Sequence, residues 1–111
     1  MITGRFAPSP TGPLHMGSLV TALASYCSVK KAGGEWLVRI DDLDPPRQDP
    51  NAINAILRCL GAHGLHPDRP IAFQSEHALA YESALQALTP HLFYFQCSRR
   101  QLRDHARYPG T

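Results

Sequence analysis

No apolar run in the chain approaches the ~20 residues of a membrane-spanning helix. The opening Met1-Ile2-Thr3-Gly4-Arg5 also lacks the basic stretch and apolar block of a secretory signal. Nothing here calls for a membrane, and a cytoplasmic location is expected. Cysteine is scarce: there are three in 111 residues, an odd number that suits a reducing compartment better than a disulfide framework. Charge is weak as well. With a net +2 and 18% charged residues, the basic clusters are Lys30-Lys31 and Arg99-Arg100-Gln101-Leu102-Arg103, and charge alone does not point to nucleic acid. Ser98 and Gln101 have the spacing of a capping box, so the second cluster reads first as the solvated face of a short helix and only then as a phosphate contact. Internal repeats, low-complexity tracts and long linkers are all missing.

What remains is an ordinary globular composition, 43% apolar with ten prolines to fix the turns. The length suits one domain, or part of one, burying roughly 65% of its unfolded surface. Ile2 to Phe6 reads as a strand. Met16, Leu19, Val20, Leu23, Ala24 and Cys27 fall at helical spacing up to Gly33-Gly34, and Glu35 to Ile40 forms a second strand. Strand, helix and strand make a βαβ unit with parallel strands and a right-handed crossover, in which ligands bind at the strands' carboxyl ends. The turn after Phe6 and the acidic turn after Ile40 should therefore face one crevice. Another helix is expected from Pro50, capped by Asp49, with Ile53, Ile56, Leu57 and Leu60 on one face and a stop at Gly61 or Gly64. Ile71 to Phe73 reads as a short strand, and Ser75 as the cap of a helix carrying Leu79, Leu85 and Leu88. Phe93 to Cys97 reads as a further strand, and a short helix follows Ser98. The class is α/β.

The chemistry is concentrated in Gly4-Arg5-Phe6-Ala7-Pro8-Ser9-Pro10-Thr11-Gly12-Pro13-Leu14-His15-Met16-Gly17-Ser18, which joins a strand, a rigid turn and the start of a helix. A helix N-terminus carries about half a positive charge and several unpaired N–H groups, so a phosphate docks there and ATP is the expected reactant. His15 is placed to donate to phosphate, and Gly17 lets a nucleotide approach the backbone. An isolated histidine would read as a helix cap or a buried structural group; the Pro-Ser-Pro-Thr-Gly-Pro-Leu turn ahead of it reverses that. The planar fork of Arg5 suits a carboxylate, although a surface ion pair with Asp41 or Asp42 is an equal reading. His63 and His66, near Asp68, are at workable metal spacing but sit where a helix ends and read as solvated. Cys27 and Cys59 occupy apolar helical positions and read as buried, inert thiols.

These residues, together with Arg39-Ile40-Asp41-Asp42-Leu43-Asp44-Pro45-Pro46-Arg47, resemble the N-terminal half of the class I glutamyl-type tRNA synthetases over nearly the whole chain. The fold this implies is a Rossmann-like parallel sheet with flanking helices, residues 1–111 being the nucleotide- and glutamate-binding half of the catalytic domain, cut at the start of its zinc-binding insertion. His15-Met16-Gly17-Ser18 stands where the family's HIGH signature belongs, with Ser18 replacing the second histidine; His15, Gly17 and Ser18 are the implied catalytic residues. Arg5, Phe6, Ala7, Pro8 and Ser9 match the segment that binds L-glutamate, and Pro10, Thr11, Gly12, His15 and Gly17 line the implied ATP site, with Mg2+ accompanying the nucleotide. Asp41 is the implied acceptor for the substrate's α-ammonium. The family usually has glutamate there, so the contact is one methylene short and is expected to pass through a water or be weakened. Asp42, Asp44 and Arg47 are expected to fix their turn by mutual pairing.

The Asp-Leu-Asp-Pro-Pro-Arg run resembles the glutamyl-Q branch of the family, which implies activation of L-glutamate and its transfer to queuosine of tRNA(Asp) by a monomer. A glutamyl-tRNA synthetase fragment acting on tRNA(Glu) is the alternative, as is a non-catalytic remnant that binds nucleotide or glutamate. A generic nucleotidyltransferase is disfavoured because Arg5 and Asp41 suit an amino acid. Cys97 lies where the family has a Cys-x-Cys zinc pair, and Tyr108-Pro109-Gly110-Thr111 matches the run towards its last cysteine. Phe95 takes the first cysteine's place, so Cys97 and Tyr108 are remnant positions at most, with His105 an unrequired substitute. A tetrahedral site needs four ligands, and no bound zinc is expected. The lysine-rich loop that clamps pyrophosphate in class I enzymes has no counterpart, and its loss lowers the expected rate by orders of magnitude. An interrupted sheet would also expose an edge that invites self-association.

Overall fold

The first strand, β1 (Thr3–Phe6), lies against a strand it reaches only through a helix. β1 is followed by α1 (Met16–Lys31) and then β2 (Glu35–Ile40), and the two strands pair in parallel with Arg5 opposite Leu37 and Phe6 opposite Val38. After α2 (Ala52–Ala62), β3 (Ala72–Phe73) pairs in parallel with the end of β2, giving the order β1-β2-β3. The structure, a computed structural model, describes residues 1–94 and 96–103. It divides into two compact units, Met1–Ala78 and Leu79–Thr111.

Alternation along β1 and β2 sorts their side chains onto two faces. Trp36, Val38 and Ile40 are buried on one face with Phe6, while Arg5, Leu37 and Arg39 lie on the other. The buried face packs on α1. Trp36, fully buried, stacks against Phe6 at 6.4 Å, meets Tyr26 edge-on at 5.2 Å and donates its indole N–H to the Ser25 hydroxyl at 2.8 Å. Ile56 and Leu60 of α2, with Leu65, complete this core. Two glycines allow the close approach: a Cβ on Gly4 would run into Val29 of α1, and one on Gly34 into the Ile2 carbonyl.

Both long helices end in the same motif. Gly33 (φ 71°) and Gly64 (φ 72°) take the left-handed conformation that glycine adopts without a Cβ penalty. The next amides, Gly34 and Leu65, reach back to Val29 and Leu60 at 2.9 Å. Gly61 is therefore inside α2, and Gly64 stops it. At its other end α2 starts at Ala52, two residues later than expected. Asp49 caps the turn before it, its side chain accepting from the Asn51 amide at 2.9 Å.

The face that α1 buries corrects the sequence reading. Ala22 and Val29 are buried with Leu19 and Tyr26 beside them, whereas Met16, Val20, Leu23, Ala24 and Cys27 are exposed. Apolar residues run almost all round this helix, so their spacing identified a helix without choosing its inner side. The expected buried thiols are corrected with it: Cys27 is exposed and Cys59 half-buried.

β3 is one residue shorter than expected. Ser75 sits inside a 3-10 turn (Gln74–His77) ahead of α3 (Ala78–Ala87), and its hydroxyl is committed to Asp42 instead of capping the helix. α3 buries no residue, and Leu79, Leu85 and Leu88 are exposed. The strand expected over Phe93 to Cys97 is absent at residues 93, 94, 96 and 97, where Tyr94 is 98% exposed; Phe95 lies outside the described residues. The described residues of this run join no sheet, and a short apolar run outside a sheet does not hold as a strand. The capping box at Ser98 does form, opening α4 (Arg99–Leu102): Ser98 N–H donates to Gln101 at 2.7 Å and Gln101 N–H to the Ser98 hydroxyl at 3.3 Å. Among the described residues no helix is long and apolar enough to cross a membrane.

Candidate active site

A cavity of about 330 Å³ opens where β1 hands over to α1, lined by Phe6, the turn through Ala7, Pro8, Ser9, Thr11, Gly12, Pro13 and Leu14, and then His15, Ser18 and Thr21. The prolines stiffen this turn, and Pro10 is fully buried beneath it. Two backbone bonds tie the acidic loop against it. Asp41 N–H donates to Pro8 O at 2.9 Å and Asp49 N–H to Pro10 O at 2.9 Å. The turn after Phe6 and the turn after Ile40 thus meet at the carboxyl ends of their strands, as the βαβ pattern requires.

His15 is the N-cap of α1. Its Nδ1 accepts from the Ser18 amide at 3.1 Å while Nε2 stands 3.0 Å from the Ser18 hydroxyl. An Nδ1 that accepts carries no proton, so the neutral ring holds its proton on Nε2, the nitrogen turned towards the Ser18 hydroxyl. The capping role and the cavity-lining role thus coexist in one side chain. Gly17 bears directly on this ring: a Cβ there would stand 3.1 Å from His15 Cε1 and 3.2 Å from Nδ1, so the glycine leaves the imidazole its position. Thr21 donates to Gly17 O at 3.0 Å. Thr21, Pro13 and Leu14 join the lining without having been singled out as site residues; for Thr21 the available signal was its place one turn after Ser18 on the helix.

Of the residues expected to bind glutamate, Phe6, Ala7, Pro8 and Ser9 line the cavity, and Arg5 and Asp41 do not. Among those expected at ATP, Thr11, Gly12 and His15 line it, whereas Pro10 is buried below and Gly17 acts from behind His15. Arg5 is exposed on the sheet face opposite α1 and makes no hydrogen bond or ion pair with a described residue, so the alternative reading of it, a surface ion pair with Asp41 or Asp42, is not formed. Asp41 is held instead by Arg39, Nε to one oxygen at 2.6 Å and Nη2 to the other at 3.2 Å. Arg39 was missed from the sequence, though the two-residue alternation of β2 puts it on the same face as Leu37 and Arg5, two residues before Asp41.

The expected mutual pairing of the acidic turn forms only in part. Arg47 pairs with Asp44 at 3.4 Å, both well exposed, but Asp42 turns to the 3-10 turn after β3 and accepts from Ser75 N–H at 2.8 Å and its hydroxyl at 2.6 Å. Partial burial pushes the Asp42 carboxyl up, and the two bonds from Ser75, with one from its own backbone, outweigh it and leave the group below its ordinary value.

Cavity and acidic turn contain no metal cluster: among the described residues no three His, Cys, Asp or Glu side chains stand together to hold an ion. His63 turns its Nδ1 to the Cys59 carbonyl at 2.8 Å, and Asp68 is engaged by Lys30 and the Trp36 amide. Cys97 is a half-buried free thiol, while His105 and Tyr108 lie outside the described residues. The described donors do not fit zinc. Among the described residues lining the cavity there is no carboxylate side chain.

The family profile for tRNA synthetases class I (E and Q), catalytic domain, matches residues 1–106. The chain belongs to this family. It is 50% identical over 111 residues to the glutamyl-Q tRNA(Asp) synthetase of Vibrio parahaemolyticus, covering 97% of this chain and 38% of that protein. It is 51% identical over 120 residues to the enzyme of the same name from Cupriavidus metallidurans, covering 97% and 39%. A solved glutamate tRNA ligase from Elizabethkingia meningosepticum, in complex with its amino acid, superposes with a TM-score of 0.78 at 34% identity, over 91% of this chain and 22% of that one. The chain thus spans about two-fifths of the length of the curated relatives it matches, and its three parallel strands with flanking helices are a Rossmann-like fragment of the family's catalytic domain.

Proposed function

We propose that the chain carries the amino-acid- and nucleotide-binding part of a ligase that activates L-glutamate with ATP, for transfer to queuosine of tRNA(Asp). The observation that carries this reading is the arrangement at the strand ends. The N-terminus of a sixteen-residue helix closes a cavity just after β1, while Arg5 lies on the sheet face opposite α1 and the Asp41 carboxylate, just past β2, is tied to Arg39 of that face. A dicarboxylic amino acid carries one group for each: its side-chain carboxylate suits the Arg5 fork and its α-ammonium suits Asp41, with Ala7 to Ser9 running between. Its α-carboxylate is then left towards the cavity, where an oxygen would attack the α-phosphorus of ATP and break its bond to the β-phosphate oxygen, releasing pyrophosphate and leaving glutamyl-adenylate.

His15 and the start of α1 supply the electrostatics for that attack. The Ser18 amide is taken by the His15 ring and the Leu19 amide by the His15 carbonyl, leaving the Met16 and Gly17 amides to donate to phosphate along with the positive end of the helix. Nε2–H of His15 is the remaining donor, released when it turns from the Ser18 hydroxyl. These donors favour charge developing on phosphate oxygens.

The test is calorimetric titration of the chain with L-glutamate and with ATP, alongside glutamate-dependent pyrophosphate exchange. Binding of L-glutamate that falls at least tenfold in Arg5→Ala supports the reading; absence of binding, or an unchanged Arg5→Ala, overturns it. The glutamate tRNA ligases among the solved relatives favour a second substrate, tRNA(Glu). Charging of queuosine-containing tRNA(Asp) against tRNA(Glu), by a longer sister protein, separates the two. Described lining residues that include no lysine or arginine favour a third reading, binding without turnover, which titration with no exchange would reveal.

A further inference from the structure

We infer that Arg39 is a positioning residue, holding Asp41 so that two of its acceptor positions face the α-ammonium of the amino acid; this rests on the glutamate reading above. The Arg39–Asp41 contact is a fork on a fork, one guanidinium nitrogen to each carboxylate oxygen, at 2.6 and 3.2 Å, with both side chains about a quarter exposed (26% and 25%). An ionised carboxylate has about four acceptor positions. The fork occupies two and fixes the plane of the remaining pair.

The rest of the turn is immobilised as well. The Asp41 amide is held by the Pro8 carbonyl, beside the lining residues Ala7 and Ser9, and the next residue, Asp42, is clasped by both the amide and the hydroxyl of Ser75. Side chain, backbone and neighbour are therefore each tied to a different element: β2, the turn after β1 and the turn after β3. A carboxylate fixed in this way loses little freedom when a ligand docks, which is how preorganisation raises affinity. The guanidinium also offsets the aspartate charge, so recognition of the ammonium depends on directed hydrogen bonds more than on net attraction.

This separates Arg39 from a residue that merely stabilises the fold. L-Glutamate and glutarate share two carboxylates and differ in the ammonium, so the full 111-residue chain is titrated with each by calorimetry or ligand-observed NMR. Wild type should prefer L-glutamate. Arg39→Gln should weaken L-glutamate about tenfold while leaving glutarate affinity and the unfolding midpoint unchanged, and adding Arg39→Gln to Asp41→Asn should change nothing further. Arg39→Lys, which keeps the charge and loses the fork, should also lose most of the preference, and it carries the test if Arg39→Gln does not fold. A wild-type preference that survives both Arg39 variants, or a loss shared equally by glutarate, overturns the positioning role alone. A wild type that does not distinguish the two ligands overturns both this role and the glutamate reading.

Discussion

The backbone N–H of Asp41 donates to the carbonyl of Pro8 at 2.9 Å, and that one bond joins the acidic turn after β2 to the cavity wall after β1. Neither residue needs its side chain for this contact. The convergence of the two turns is thus a property of parallel strands ending at the same level, on which the side chains of Arg5, Arg39 and Asp41 are then hung.

Gly17 tests the link between that wall and the helix start. In Gly17→Ala the new methyl group stands 3.1 Å from the His15 ring, so the imidazole must yield a few tenths of an ångström. Alanine is the better helix former by about 1 kcal/mol, which offsets the crowding in stability. Thermal unfolding should move by less than ~1 kcal/mol while ATP affinity measured by calorimetry falls severalfold. An unchanged ATP affinity would show that the His15 position is irrelevant to the nucleotide.

Acid should unpick two ties. Asp68 is held below its ordinary value first by the hydrogen bond from Lys30 and then by the Trp36 amide, and Asp42 lies below its own for the reasons given above. A carboxyl depressed in the folded state contributes stability that is complete above the ordinary aspartate value and is lost as pH falls through the depressed one, hence below about pH 4. Urea midpoints recorded from pH 6 to pH 2.5 should drop in that window. Asp68→Asn and Asp42→Asn should each flatten the drop; a profile indifferent to both would refute the assignment.

Gly34→Ala should be costly out of proportion to its size. The added Cβ meets the Ile2 carbonyl, a backbone atom with no rotamer to escape into, and Ile2 also accepts the Glu35 amide at 3.0 Å. A loss of about 2–3 kcal/mol is expected in chemical unfolding, followed through the fluorescence of the single, fully buried Trp36.

Cys27 should react before Cys59. Its thiol is exposed and that of Cys59 only partly so. In native protein a chromogenic disulfide should label position 27 first by peptide mapping, and equal rates at the two positions would contradict the orientation of α1.

The order of elements through β3, the parallel class and the meeting of the two turns at the strand ends were legible in the residues themselves. Spacing of 3.6 and of two residues, glycines at helix ends and prolines in the turn are local signals, and each acts within a few residues of where it is read. The Ser98–Gln101 capping box is legible for the same reason.

Tertiary structure decided what local signals leave undetermined. α1 is apolar on most sides, so only packing against Phe6 and Trp36 selected the stripe of Leu19, Ala22, Tyr26 and Val29 as its inner face and left Cys27 outside. Asp42 could have paired with Arg47 five residues away, and it pairs with Ser75 thirty-three residues away because β3 places that turn beside it. Asp41 had Arg5 as a candidate partner and took Arg39, two residues before it near the end of β2. A charge in a sequence has many possible partners, and which one it meets depends on strand register and turn geometry that no short stretch of residues contains.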